Sequence, residues 1–320
     1  MEGEPIHNGA RSAIDLDSAR LARLKLGPYK LAEEIGQGGI GKVFRAIDTI
    51  LRREVAIKIL RDELAHDPAF ADDLLHEARH AAAISHPHIG RVFALGQEDD
   101  CYYIVMELLR GRALDRVIDD DGALPEAQAL RIAIEVALAL KAAHQSRLIH
   151  GDIKPANIFL TEGAGTKVLD FGLARRATLG LWWGDSIFGS PYYVSPERLR
   201  RMSETCCSDM YSLGATLFHM LTGHPPFDGG SHEEVALKRL EERPPRLCER
   251  NAGVTVRTEQ VVDTMLNETA SRRYGDYDDL LAALLEASPD ESVLRRTYRC
   301  FPGRSAEPAT MTLTEGAVRG

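Results

Sequence analysis

The 320-residue sequence predicts an α+β chain, strand-rich in front and helical behind. Three observations carry that reading. β-rich runs succeed one another from Tyr29 to Leu109. From Pro125 onward the apolar residues recur at helical spacing. At the turn-rich middle lies a polar cluster, His150-Gly151-Asp152-Ile153-Lys154-Pro155-Ala156-Asn157, with Asp170-Phe171-Gly172 thirteen residues beyond it. The length suffices for one large domain or for two lobes around a cleft.

Composition narrows the function. A hydrophobic content of 44% and a charged content of 27% describe an ordinary soluble protein. A net charge of −9 argues against bulk attraction to nucleic acid or anionic membrane. The five Cys include one adjacent pair, Cys206-Cys207, and no CxxC, so reduced thiols in a cytoplasmic setting are expected and a Cys-based zinc site is not. Residues 1–25 are polar and contain acids, unlike a secretory signal. The most apolar windows, Ile132–Ala143 and Met210–Thr222, are too short for a membrane span.

Residues 1–27 read as a mobile leader with one short amphipathic run, Ala19–Leu26. Tyr29–Glu34 begins a strand that enters Gly36-Gln37-Gly38-Gly39-Ile40-Gly41. Alone, GxGxxG also marks hairpins and dinucleotide-binding turns. Here Lys42-Val43-Phe44-Arg45-Ala46 follows as an alternating strand, where a dinucleotide turn requires a helix, so a hairpin lid over phosphates is favoured. Its glycines let backbone N–H groups approach an anion closely.

Glu54–Leu60 is a strand with Lys58 at its centre. A helix is expected from about Pro68 to Ile84, with Phe70, Leu74, Ala78 and Ala81 inward and Glu77 on the same face. A carboxylate on a buried stripe needs a cation, and Lys58 is the candidate. The same helix carries His76-Glu77-Ala78-Arg79-His80, an H-E-x-x-H pattern that binds zinc in other settings. No third ligand is evident, and a solvated or packed His pair is the preferred reading. Tyr102–Gly111 reads as a strand ending in a hinge. Pro125 opens a long helix with Leu130, Ile134, Leu138 and Ala142 on one face.

The central cluster then supplies two carboxylates, an amide and an ammonium in about twenty residues. Phosphoryl transfer needs this set, because such catalysis rests on positioning and charge neutralisation. One carboxylate accepts the proton of an attacking hydroxyl. The other, with the Asn carbonyl, holds magnesium through hard oxygens, and the Lys meets the transferring phosphate. Downstream, Gly189–Glu197 precedes Ser208-Asp209-Met210-Tyr211-Ser212-Leu213-Gly214, the start of a helix apolar nearly all round and therefore buried. Residues 289–320 carry the basic run Arg295–Arg299 and a Thr-rich end with Thr310, Thr312 and Thr314, and read as a disordered tail.

In this order the motifs resemble those of bacterial-type (Hanks-type) Ser/Thr protein kinases over roughly residues 28–288. The resemblance implies a bilobal kinase fold: an N-lobe of about 28–106, a hinge at 107–111 and a C-lobe of about 112–288. It implies a glycine lid (Gly36, Gly38, Gly41), a phosphate clamp (Lys58 with Glu77) and an adenine pocket (Val43, Ala56, gatekeeper Met106, and the backbones of Glu107 and Leu109). It also implies a base (Asp152), a phosphate contact (Lys154), metal ligands (Asn157, Asp170) and an Arg273–Glu197 pair. ATP, Mg2+ and protein substrates follow, with autophosphorylation. Lys154, two residues after Asp152, is the pattern of Ser/Thr-directed members.

Gly151 departs from the family, most of which carry Arg there. His-Gly-Asp also occurs in small-molecule kinases, but these lack an element like Gly189–Glu197. A pseudokinase serving as a binding module is the other rival, and every residue the chemistry needs is present. Without Arg at 151, a phosphate on the activation loop loses its main grip. Replacing Thr178 and Ser186 with Ala is therefore expected to leave substantial turnover, and a near-total loss in a kinase assay would overturn that. Trp182-Trp183 in the same loop is expected to pack in the core.

Overall fold

The computed structural model describes residues 26–37, 41–60, 78–98, 101–163, 165–171, 182–183, 186–187 and 191–288. Its front part is a five-stranded antiparallel sheet of β1 (Tyr29–Gln37), β2 (Gly41–Asp48), β3 (Arg53–Leu60), β4 (Val92–Glu98) and β5 (Cys101–Met106) in the order β1-β2-β3-β5-β4. The side-chain period of two divides β3 between two faces. Ile57 and Ile59 join Phe44, Ala46, Val55, Tyr103 and Val105 in one core. Leu60, on the Lys58 side, packs with Ala78 and Ile104 in another. Leu26, at the end of the expected leader, is fully buried in the first core and accepts a hydrogen bond from the Tyr29 N–H at 2.9 Å.

The β2–β3 turn is set by Asp48, whose Oδ1 accepts the N–H groups of Ile50 (3.1 Å) and Leu51 (2.9 Å). Of the helix expected to reach Ile84, the described part is helical over residues 78–82 and gives way to a turn at 83, two residues short; Ala78 and Ala81 are buried there while His80 is exposed. Ile89 then bridges to Val168, joining the sheet lobe to the helical lobe.

At this junction His86 Nδ1 accepts the His88 N–H at 3.2 Å. That bond needs an unprotonated Nδ1. Burial, then the nearby charge of His88 and Lys167, push the His86 pKa down to about 4. An imidazole that titrates lower in the folded chain contributes stability above its unfolded pKa of about 6.5, and loses it as pH falls towards 4. After solvent screening the effect between pH 7 and 5 is about 1 kcal/mol. His86→Asn, which retains an acceptor, is expected to flatten the fall in Tm over that interval by about 3 °C. An unchanged slope would assign the acid sensitivity elsewhere.

The helical lobe is built on α1 (Leu114–Asp121), α2 (Glu126–Gln145), α3 (Pro196–Leu199), α4 (Cys206–Thr222), α5 (His232–Glu241), α6 (Leu247–Arg250), α7 (Val256–Met265) and α8 (Tyr277–Ala287). On α2 Leu130, Ile134 and Leu138 of the expected stripe are buried and Ala142 is partly so, but nearly everything from Ala129 to Leu140 is buried as well. The helix runs through the core and does not merely line it. The all-round apolar helix is α4, buried along almost its whole length. It starts with a capping box between Thr205 and Ser208 and ends at Gly223, whose φ of +76° suits a glycine. A three-stranded sheet of β6 (Gly111–Ala113), β7 (Ile158–Thr161) and β8 (Thr166–Val168) lies under the cleft, with β7 immediately after the polar cluster. The β-rich Ile158-Phe159-Leu160-Thr161 was the signal for it in the sequence. Among the described residues no helix is long and apolar enough to cross a membrane.

Candidate functional site

Register brings the sheet residues of the site together. Val43 and Ile104 pair with Lys58 across β2–β3 and β3–β5, and Ala56 pairs with Met106. Cross-strand partners, and residues two apart, share a face. Val43, Ala56, Lys58, Ile104 and Met106 therefore line one face of the sheet. Met106 and Ile104, with Ala78, Leu169 and Phe171, wall a small cavity at the back of that face. The chain then leaves the sheet at Glu107, whose N–H donates to Arg91 O at 2.9 Å and whose carboxylate pairs with Lys167 at 3.0 Å.

The lid glycines differ in what they require. A Cβ on Gly41 would lie 2.0 Å from Ile59 O, so close packing on the β3 backbone demands glycine there. At Gly36 a Cβ would meet only Val43, at 4.0 Å, which leaves that side open. Gly38 lies outside the described residues, as do Glu77, His76, Gly172, Thr178, Gly189 and the 289–320 tail. The expected Lys58–Glu77 pair is thus not described. The main chains of Trp182–Trp183 and Ser186–Ile187 pair as a short hairpin.

Lys58, 4% exposed, meets Asp170: Nζ to Oδ2 is 2.7 Å. Burial raises the Asp170 pKa, but the Lys58 charge and hydrogen bond outweigh it and hold the carboxyl below its usual range. Asp170 has φ +61°, a conformation that costs a non-glycine residue energy and marks functional sites.

The 150–157 loop is fixed from behind. His150 is fully buried, its Nε2 2.9 Å from Leu169 O, and its Nδ1 accepts the Asp152 N–H at 3.1 Å. These partners set one neutral tautomer and a bracing role. Its ring meets Phe171 edge to face at 4.6 Å. Asp209, buried on α4, accepts the N–H groups of His150 and Gly151, each at 2.8 Å. In front, Asn157 Nδ2 donates to Asp152 O (2.7 Å) and Oδ2 (2.9 Å), and Lys154 Nζ lies 2.7 Å from the same Oδ2. Leu169 donates its N–H to Asn157 O at 2.9 Å, laying the Asp170 strand end beside the loop. Asn157 Nδ2 is thus spent on Asp152, and the residue offers a carboxamide oxygen on a segment hydrogen-bonded to the one that carries the Asp170 carboxylate. That donor set fits a magnesium ion.

Beyond the loop, Glu197 and Arg273 form a bidentate pair at 2.7 and 2.9 Å. The Arg273 Nε, Nη1 and Nη2 also reach Asn267 O, Cys207 O and Glu268 O, which uses the whole guanidinium fork. Ser208 Oγ donates to Glu197 Oε1 at 2.8 Å, tying the pair to the α4 cap.

Two arginines that shape the site were not read from the sequence. Arg239 on α5, 2% exposed, donates to the carbonyls of Tyr192 and Val194 and lies over the rings of Tyr211 and Phe227. Arg198 on α3 donates to Gly151 O and is ion-paired with Glu204 at 2.8 Å. A guanidinium from α3 thus meets the backbone at position 151. In sequence both arginines sit among charged neighbours and look solvated.

A family model described as protein kinase domain matches residues 29–288. The chain is 39% identical over 262 residues to the serine/threonine-protein kinase PrkC of Bacillus subtilis, covering 82% of this chain and 40% of that protein. It is 37% identical over 263 residues to the serine/threonine-protein kinase PknB of Mycobacterium leprae, covering 80% and 42%. The chain therefore spans about 40% of the length of the curated relatives it matches. Among solved structures, the PknI kinase domain of Mycobacterium tuberculosis superposes with a TM-score of 0.68 at 26% identity, covering 82% of this chain and 98% of that one. Rad53 1–466 in complex with AMP-PNP gives 0.67 at 25%, covering 79% and 64%.

Proposed function

This chain belongs to the protein kinase family, and from that premise we propose that it transfers the γ-phosphoryl group of ATP to Ser and Thr hydroxyls of proteins, itself included. One observation carries the reading. The Asp152 carboxylate is gripped at Oδ2 by Lys154 and Asn157, beside the Lys58–Asp170 pair. This arrangement leaves Asp152 Oδ1 to accept the hydroxyl proton as the hydroxyl oxygen bonds to phosphorus. The bond between the γ-phosphorus and the β-bridging oxygen breaks, and ADP leaves.

Lys154 meets the transferring phosphate. Lys58 clamps the inner phosphates, with Glu77 as its second partner. Gly36, Gly38 and Gly41 cover them, while Val43, Ala56, Met106, Glu107 and Leu109 hold the adenine. Asn157 and Asp170 hold Mg2+, which neutralises phosphate charge when bound. The catalytic unit is 28–288, hinged at 107–111, with 1–27 and 289–320 as extensions. Reduced thiols and a need for ATP favour the cytoplasm as its place of action.

The test is phosphate incorporation from labelled ATP with magnesium, comparing the wild-type chain with Asp152→Asn and Asp170→Asn. Label on Ser and Thr that disappears in both variants is expected. ATP binding without transfer by the wild-type chain would leave a binding module.

The segment 191–195 reads as the protein-substrate platform, and Arg239 holds its carbonyls from behind. Burial without a carboxylate partner among the described residues lowers the Arg239 pKa. Such a buried charge is kept for position at a cost in stability. Arg239→Met is expected to raise the KM for a protein substrate about tenfold, or about 1.4 kcal/mol, with the KM for ATP unchanged. Equal rises in both constants would reduce Arg239 to a general packing role.

A further inference from the structure

Gly151 immediately precedes the proposed base and adopts φ +73°, where a side chain is strained. Its peptide is held on two sides. Asp209 takes the N–H, and Arg198 Nη1 donates to the carbonyl oxygen. Arg198 follows Glu197 directly on α3, so the Glu197–Arg273 pair fixes the stretch of backbone that presents it.

Glu204 holds the guanidinium by charge, its Oε1 lying 2.8 Å from Nε. Both side chains are nearly sealed from water, at 8% and 7% exposure. An ion pair so buried is poor value for stability alone, since apolar residues of similar volume fill the same space without the desolvation cost. Its geometry points elsewhere. The fork reaches the one carbonyl between His150 and Asp152, in a loop whose own position 151 offers no side chain. The Arg198 charge also opposes the rise that burial imposes on the Asp209 pKa, and so favours the ionised carboxylate that holds the N–H side of the same loop.

We propose that Arg198, oriented by its buried ion pair with Glu204, is a positioning residue for catalysis. It locks the Gly151 carbonyl, and with it the backbone that aims Asp152, so that a charge delivered from α3 serves a loop whose position 151 carries no side chain. The inference rests on the kinase reading. Already paired with Glu204, this cation needs no phosphate on the activation loop to neutralise it.

The experiment compares the full chain with Arg198→Met, Arg198→Lys and Glu204→Gln. Thermal midpoint, nucleotide affinity, both KM values, kcat and amide exchange at residues 150–152 are measured. Arg198→Met is expected to lower kcat thirtyfold or more, with ATP affinity and protein KM within threefold of wild type. Amide exchange in the loop should quicken. Arg198→Lys, which keeps the charge, should recover kcat to within tenfold of wild type, and Glu204→Gln should fall between. Wild-type kcat in Arg198→Met overturns the proposal, as does a loss of kcat matched by an equal loss of nucleotide binding. Should Arg198→Met not fold, unchanged kcat in both milder variants overturns it. An inactive wild-type chain sinks the kinase reading instead. Loop positioning is then decided by amide exchange, where rates equal in wild type and Arg198→Met overturn it, or, should that variant not fold, rates equal in wild type and Glu204→Gln.

Discussion

Replacing Asp152 with Asn lowers kcat about a thousandfold while the chain stays folded and binds ATP. A positioned general base contributes about 10²–10⁴ to rate, and an amide cannot take the hydroxyl proton. The surroundings make the change nearly isosteric. Asn157 still donates to the main-chain O of residue 152 at 2.7 Å, and Asp209 still holds the loop from behind. What is lost is the charge that Lys154 now meets at 2.7 Å. The measurement is kcat beside nucleotide affinity for wild type and variant. Loss of affinity in step with kcat would mean that Asp152 shapes the nucleotide site, and a kcat within tenfold of wild type would remove it as the base.

Arg273→Met is expected to cost about 3–5 kcal/mol, because it strands the Glu197 carboxylate in the core. Burial raises the Glu197 pKa, yet the Arg273 hydrogen bonds and charge hold it below the usual carboxylate range. Without Arg273 that balance reverses. A depressed carboxyl contributes stability that is present above its unfolded pKa of about 4.5 and lost as pH falls through the folded value. Removing the cation abolishes this contribution at neutral pH. Tm should fall by about 10 °C in a domain of this size. The double variant Arg273→Met, Glu197→Met should regain part of the loss, since no lone charge is then buried. A double variant less stable than the single one would show that the guanidinium bonds to Asn267, Cys207 and Glu268 carbonyls matter more than the ion pair.

The fold class was legible because it depends on short-range pattern. The alternating strand after the glycines, the β-rich run around Lys58, the all-round apolar run of α4 and the order of the motifs sufficed for an antiparallel sheet followed by a helical lobe. The Glu197–Arg273 pair was legible only through resemblance, since 76 residues separate its partners. The β6-β7-β8 sheet went unread although Ile158–Thr161 carries the signal, because the polar loop before it drew the reading towards helix and turn.

Arg198 and Arg239 mark where the sequence falls silent. Each stands in a charged segment, Pro196–Arg201 or Lys238–Arg243, that reads as solvated surface. Their acceptors, Gly151 O, Tyr192 O and Val194 O, are main-chain carbonyls 45–47 residues away. A carbonyl is present at every position, so no residue type announces that it will be the partner. The choice of glycine at 41 shows the same limit. The sequence offers a phosphate lid as the reason, while in the folded chain the Ile59 carbonyl approaches where a Cβ would stand.

The sequence by itself determined which reactive groups the protein owns and how they are spaced along the chain: Lys58 on a strand, Asp152, Lys154 and Asn157 on one loop, and Asp170 thirteen residues later. Covalent spacing within a strand or a short loop fixes neighbours directly, and periodicity exposes it. Only the tertiary structure decided which charges neutralise one another, pairing Lys58 with Asp170 and handing the Gly151 carbonyl to Arg198. Those choices arise when distant segments are desolvated together, and each buried charge must then take whichever partner the packing brings within reach.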